Sequence, residues 1–180
     1  MKRYIALALI FLSLLASCRE DDIEPEVEKC KIINQNLNKY TRKTFDYTGQ
    51  AENAAIVTGY LDGEQLKMAR ASAFTDLGRK EDCFYFHKNK LIAVKQEEYI
   101  YNKPSYFTED MATKLGDSVW YDDAKTVMKT NWYYFYSGKL VKWINPDHRI
   151  MPETDKQYDF KNDGLLSDAE KLKKMMLTEQ

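Results

Sequence analysis

A chain of 180 residues, 44% hydrophobic and 31% charged, can bury one core, and its formal net charge is only −1. That balance excludes the strongly basic footprint of a nucleic-acid-binding protein, and the apolar fraction excludes a disordered polyelectrolyte. Thirteen Tyr, eight Phe and three Trp weight the composition towards strands.

Lys2 and Arg3 precede an apolar run of 11 residues, Ile5 to Leu15. The run falls short of the roughly 20 residues needed to span a bilayer and fits a secretory signal. It ends in Leu15-Ala16-Ser17-Cys18, which resembles the bacterial lipobox. The resemblance implies cleavage before Cys18 and acylation of its thiol, so membrane lipid is the first expected partner. Three acyl chains exceed the two signals that stable anchoring requires. Arg19, Glu20, Asp21, Asp22, Glu24, Glu26 and Glu28 follow, a cluster that reads as a solvated tether. It also resembles the acidic export signal of surface lipoproteins of Bacteroidota-type bacteria. That implies an outer-membrane location, with surface display favoured over the periplasmic face. The expected organisation is a signal peptide over 1–17, a tether over 18–25 and one domain over 26–180. Loss of residues 1–17 removes two basic and no acidic residues, leaving a net charge of −3.

Acylation of Cys18 leaves Cys30 and Cys83 in an oxidising compartment. They read either as a disulfide or as two buried thiols acting as small hydrophobes.

Apolar residues at spacings of three and four, Val27, Cys30, Ile33, Leu37 and Tyr40, predict a helix over Glu26–Tyr40. Thr41–Asn53 reads as a polar connection. Three related hairpins follow, VTGYLDGEQLKM from Val57, CFYFHKNKLIAV from Cys83 and NWYYFYSGKLVKW from Asn131. Gly63, Asn89 and Gly138 stand at their turns, where positive φ is needed. Thr75–Asp82 reads as a loop. Within an insertion over Thr108–Lys129, Thr108 and Gly116 bound a short helix, and Asp122–Lys129 predicts a second helical piece. Ser167-Asp168-Ala169-Glu170 has the form of a capping box opening a C-terminal helix. The expected fold class is α+β, an antiparallel meander of about six strands with helices at the N-terminus, in the insertion and at the C-terminus.

Uninterrupted two-residue hairpins pair Trp132 with Trp143, Tyr134 with Val141, Cys83 with Val94 and Tyr85 with Ile92 on one face, with Val57, Leu66 and Met68 beside them. That face predicts the core and turns Cys83 towards the stripe carrying Cys30. Phe84, Phe86, Tyr133 and Phe135 fall on the other face, with Leu91, Tyr60, Lys67 and Lys142. This second face is either covered by the C-terminal helix or exposed as an aromatic binding platform.

Residues with metal or catalytic chemistry are sparse. His87 and His148 have no ligand spacing between them, and no GxSxG, CxxC or phosphate-binding glycine loop occurs. Asp159–Glu170 matches an EF-hand loop at positions 1, 5, 6, 9 and 12, but Lys161 occupies a ligand position. No metal, cofactor or catalytic residue is therefore expected.

The repeated Y-[YF]-F-x-x-x-K-L unit, the lipobox and the acidic tether together resemble small lipoproteins of the Bacteroidota type. The meander-plus-helix build is similar to β-lactamase-inhibitor-like and PepSY-like modules, which bind proteins. The resemblance implies a non-enzymatic binding or structural role at the cell envelope, with a protein or glycan partner. Two alternatives are an inhibitor of an exported hydrolase, acting through the Asn145–Pro152 loop, and a glycan-binding surface module that stacks sugars on Phe84, Tyr133 and Phe135.

Overall fold

In the computed structural model, residues 23–46 and 54–178 are described. They form one seven-stranded antiparallel sheet whose spatial order is the chain order. The elements are α1 (Glu24–Gln35), a 3-10 turn (Leu37–Lys39), β1 (Thr41–Asp46), β2 (Ala54–Asp62), β3 (Gln65–Thr75), β4 (Gly78–His87), β5 (Lys90–Ile100), α2 (Glu109–Leu115), a second 3-10 turn (Asp123–Lys125), β6 (Val127–Tyr136), β7 (Lys139–Ile144) and α3 (Lys156–Thr178). The α+β class and the meander stand. The strand count rises by one because Thr41–Asp46, too polar to signal a strand, pairs with β2 along its whole length. No described helix is long and apolar enough to cross a membrane.

The three repeated hairpins share a feature that side-chain alternation does not reveal. Each carries a β-bulge at the same step, opposite Tyr60/Leu61, Tyr85/Phe86 and Tyr134/Phe135. Lys67, Ile92 and Val141 are the extra residues, each three positions beyond the turn. The last two hairpins turn with positive φ at both central residues, Lys88-Asn89 and Ser137-Gly138, as a type I′ turn demands. The first turns at Gly63-Glu64, one residue later than the pattern Asp62-Gly63 predicts, with positive φ at Gly63 alone.

An extra residue reverses the facing of everything beyond it. Phe135 still pairs with Leu140, but Tyr133 now pairs with Trp143 and Trp132 with Ile144. The expected Trp132–Trp143 pair is thus overturned, and the two rings lie on opposite faces. Trp132 stacks between Tyr85 and Tyr134 at 6.1 and 5.7 Å. Trp143 stacks on Tyr133 at 5.4 Å, and its Nε1 donates to Asn131 Oδ1 at 3.0 Å. Val94, Leu66 and Val57 likewise join the face opposite the expected one, while Tyr60 joins the first.

The sheet therefore buries both faces. Against the first packs α1, through Cys30 and Ile33, with Tyr60, Met68, Cys83, Tyr85, Ala93 and Tyr134 beneath it. Val27, expected on this helix's apolar stripe, is exposed, and Glu26 takes the buried place with Lys29 Nζ 3.1 Å away. Glu24 and Pro25, read as tether, form the first turn of α1. Against the second face lies α3, burying Tyr158, Leu165, Ala169, Leu172 and Met176. It begins 11 residues before Ser167. Asp155 Oδ1 accepts the Gln157 amide at 2.8 Å and provides the N-cap, so Ser167 and Glu170 are mid-helix and the capping-box reading is corrected. Asp159–Glu170 is continuous helix, which leaves no EF-hand loop.

Candidate functional site

The aromatic second face, read as either covered by the C-terminal helix or exposed as a platform, is covered. Phe84, Phe86, Tyr133 and Phe135 are 3%, 1%, 1% and 1% exposed, sealed beneath α3 in the larger apolar cluster. The platform reading is corrected, and the glycan-stacking alternative that needed these rings in solvent goes with it. Their physical role is packing: α3 crosses the hairpin strands and supplies the missing apolar layer.

Cys30 and Cys83 share the cluster beneath α1, as the helix placement predicted, and both are free thiols rather than a disulfide. Burial pushes the Cys30 thiol up to about 12, with Glu26 adding to the shift. Burial also raises Cys83, against the opposing pull of the Arg70 guanidinium. Such thiols are inert at neutral pH. Cys18 lies outside the described residues. His87 stands in solvent at a hairpin turn, its imidazole pKa lowered by partial desolvation and by Lys29, Lys88 and Lys67. His148 is exposed in the β7–α3 loop at φ 58°. Among the described residues no cluster of three or more His, Cys, Asp or Glu could hold a metal ion.

What the sequence did not single out is the far end of the strands. The register aligns Arg70, Cys83, Lys95 and Trp132 across four strands. On the hairpin-turn side of that line the strands bury both faces under α1 and α3. On the other side the side chains of these four strands are half-buried or exposed on both faces, Gly78 excepted. Thr75–Asp82 was expected to be a loop because of its charges; only Asp76 and Leu77 make the turn. The rest are strand, with charges paired both along a strand and across the ladder. Glu81 lies 3.9 Å from Arg70 and 3.5 Å from Arg79, Lys95 lies 2.6 Å from Glu97, and Arg79 stacks over Tyr99 at 4.0 Å.

The insertion between β5 and β6 completes this end. Thr108 Oγ1 accepts the Met111 amide, and Gly116 closes α2 at φ 69°, both as the sequence predicts. Asp122–Lys129 is not a second helix; a single 3-10 turn precedes β6. Polar contacts brace the segment against β5. Asn102 donates to the Trp120 carbonyl at 2.8 Å and accepts the Asp122 amide at 3.0 Å. Lys103 meets Asp117 at 2.7 Å, and Tyr101 packs edge-on to Tyr121 at 5.2 Å. The Lys103 ammonium and the Val119 amide hold Asp117 below its ordinary carboxylate range.

On this braced frame sit exposed apolar side chains: Leu77, Tyr106 and Leu115 at 57%, 57% and 72%, and Val127 and Met128 at 54% and 56%. Met111, Val119 and Trp120 lie in the same insertion and are also exposed. Residues 101–126 hold five acidic and three basic residues, and Asp110, Asp117 and Asp122 are paired with Lys114, Lys103 and Lys125. Comparison of the chain with protein-family models, with curated proteins and with solved structures finds no match. The signal available in sequence was the set of large apolar residues Tyr106, Met111, Leu115 and Val119, scattered through a largely polar segment.

Proposed function

We propose that the chain is a membrane-anchored, exported lipoprotein that binds a protein partner at the cell envelope and performs no reaction of its own. Leu15-Ala16-Ser17-Cys18 and the acidic residues behind it support the anchor. The observation that carries the binding role is the set of exposed apolar side chains on the insertion end. A monomer rarely presents large apolar side chains together without a partner for them. The hydrogen bonds and ion pair of Asn102 and Lys103 hold that surface in one shape, which reduces the ordering cost of association.

The test places a photo-crosslinking residue at Leu115 or Met128 in the full chain, in its native envelope, with Lys90 at the opposite end of the sheet as the control. One discrete adduct from the first two positions and none from Lys90 is expected. Absence of that adduct, or the same adducts from Lys90, removes the binding surface. Palmitate labelling that persists in Cys18→Ala removes the anchor.

A further inference from the structure

Away from the insertion end, beside hairpin three, the structure holds a cavity of about 360 Å³. It lies at the outer margin of β7, between the hairpin, the β7–α3 loop and the start of the described chain. Ile23, Leu140, Val141 and Ile150 give it an apolar lining, and Lys139, Lys142 and Glu153 bring charge to it. The volume is in the range of small-ligand pockets, about 300–1,000 Å³, and the lining is of the kind that takes an apolar ligand. Strand addition suits it poorly, because groups on this margin are already paired. Leu140 donates its amide to Asn162 Oδ1 at 2.8 Å, and the Trp143 carbonyl accepts from the Met151 amide at 2.8 Å.

Position names the occupant. Ile23 is both a wall of the cavity and the first described residue. Cys18 precedes it by five residues, a separation of at most about 18 Å along an extended chain. We infer that the cavity receives one of the acyl chains carried by Cys18 of the same molecule, an inference that rests on the lipoprotein reading above. Two chains in the bilayer suffice for stable anchoring, so a third can leave it without releasing the protein. Each methylene is removed from water in either place, so the exchange is nearly balanced. Lys139 and Lys142 can extend their ammonium groups past the lining to lipid phosphates. The chain held in this way would draw hairpin three against the bilayer. β6 would then direct the insertion end outwards, about 30 Å away by strand rise.

The experiment feeds cells expressing the full chain a photoactivatable long-chain fatty acid, irradiates them, and maps the purified protein by mass spectrometry. The expected product joins Cys18, through its acyl chain, to residues 140–142 or 150–153. Ile150→Asp, at a position 54% exposed, is expected to keep the melting temperature and to lower that product several-fold. Acylated Cys18 whose photoproducts reach only phospholipid overturns the inference and leaves the anchor standing. Phospholipid adducts on the cavity residues that persist in Cys18→Ala overturn the assignment to the protein's own chain. Failure of Cys18 to take up label removes anchor and inference together.

Discussion

The same strands behave as two different materials along their length. Near the hairpin turns, β3 to β6 are an apolar layer between α1 and α3, with Met68, Phe86, Tyr133 and Phe135 almost fully buried. Past the line through Arg70, Cys83, Lys95 and Trp132 they continue as a layer with ion pairs on both sides, Arg79–Glu81 on one and Lys80–Glu98 on the other. The ladder hydrogen bonds run through both halves, and what changes is the apolar area removed from water. The lesson is that pairing alone can extend a sheet once a core has fixed its register. The extension then provides the frame on which an exposed insertion is mounted.

Three measurements break or sharpen that contrast. The largest effect is expected from Phe86→Ala, which opens a cavity at the centre of the covered half and costs about 3–5 kcal/mol. Tyr99→Ala in the uncovered half should cost far less by urea denaturation, and equal losses would mean the far half has a core of its own.

The second is alkaline pH. Burial raises the pKa of Cys30, Cys83, Tyr85, Tyr133 and Tyr134, all in the covered half. Each folded pKa lies above its unfolded value, so the native state retains the proton longer. The Cys30 contribution is complete below the ordinary thiol value of 9.0 and is lost as pH rises towards about 12, and the tyrosine contributions begin to be lost above their ordinary value of 10.0. Urea midpoints should therefore be insensitive to these groups at neutral pH and should fall steadily above pH 9. A flat profile there would place the five groups in water.

The smallest effect is expected from Glu98→Ala. Its partner Lys80 is 3.6 Å away and both side chains are largely in solvent, so the loss should stay within about 0.5 kcal/mol. A loss of several kcal/mol would show that the charged ladder, rather than its attachment to the covered half, supports the extension.

Much of the fold was legible in particular residues. Asn89 and Gly138 marked turns because few residue types accept positive φ, and Thr108 and Gly116 marked a helix because a hydroxyl cap and a left-handed residue end its backbone ladder. Alternation placed Phe84, Phe86, Tyr133 and Phe135 on one face correctly, since these precede the bulges. It misplaced Val94 and Trp143, which follow them. A bulge has no residue signature here: Leu91-Ile92-Ala93-Val94 is apolar throughout, so either register puts apolar residues on both faces, and the step appears only once two strands are paired. β1 was missed because Thr41-Arg42-Lys43-Thr44 lacks an apolar period and is held by its neighbour. The candidate site was the least legible part, because exposure of Leu115 or Met128 depends on what fails to pack over them.

The sequence by itself determined the local grammar: three hairpins, the turns of the last two, a capped short helix and an amphipathic N-terminal helix, all set by backbone sterics and by neighbours within a few residues. Only the tertiary structure decided which side each residue beyond a bulge would face, that the aromatic second face would lie under α3, and that the insertion end would remain uncovered. Those outcomes depend on contacts between residues as distant as Lys43 and Met176, and packing of that range is a property of the whole assembled sheet.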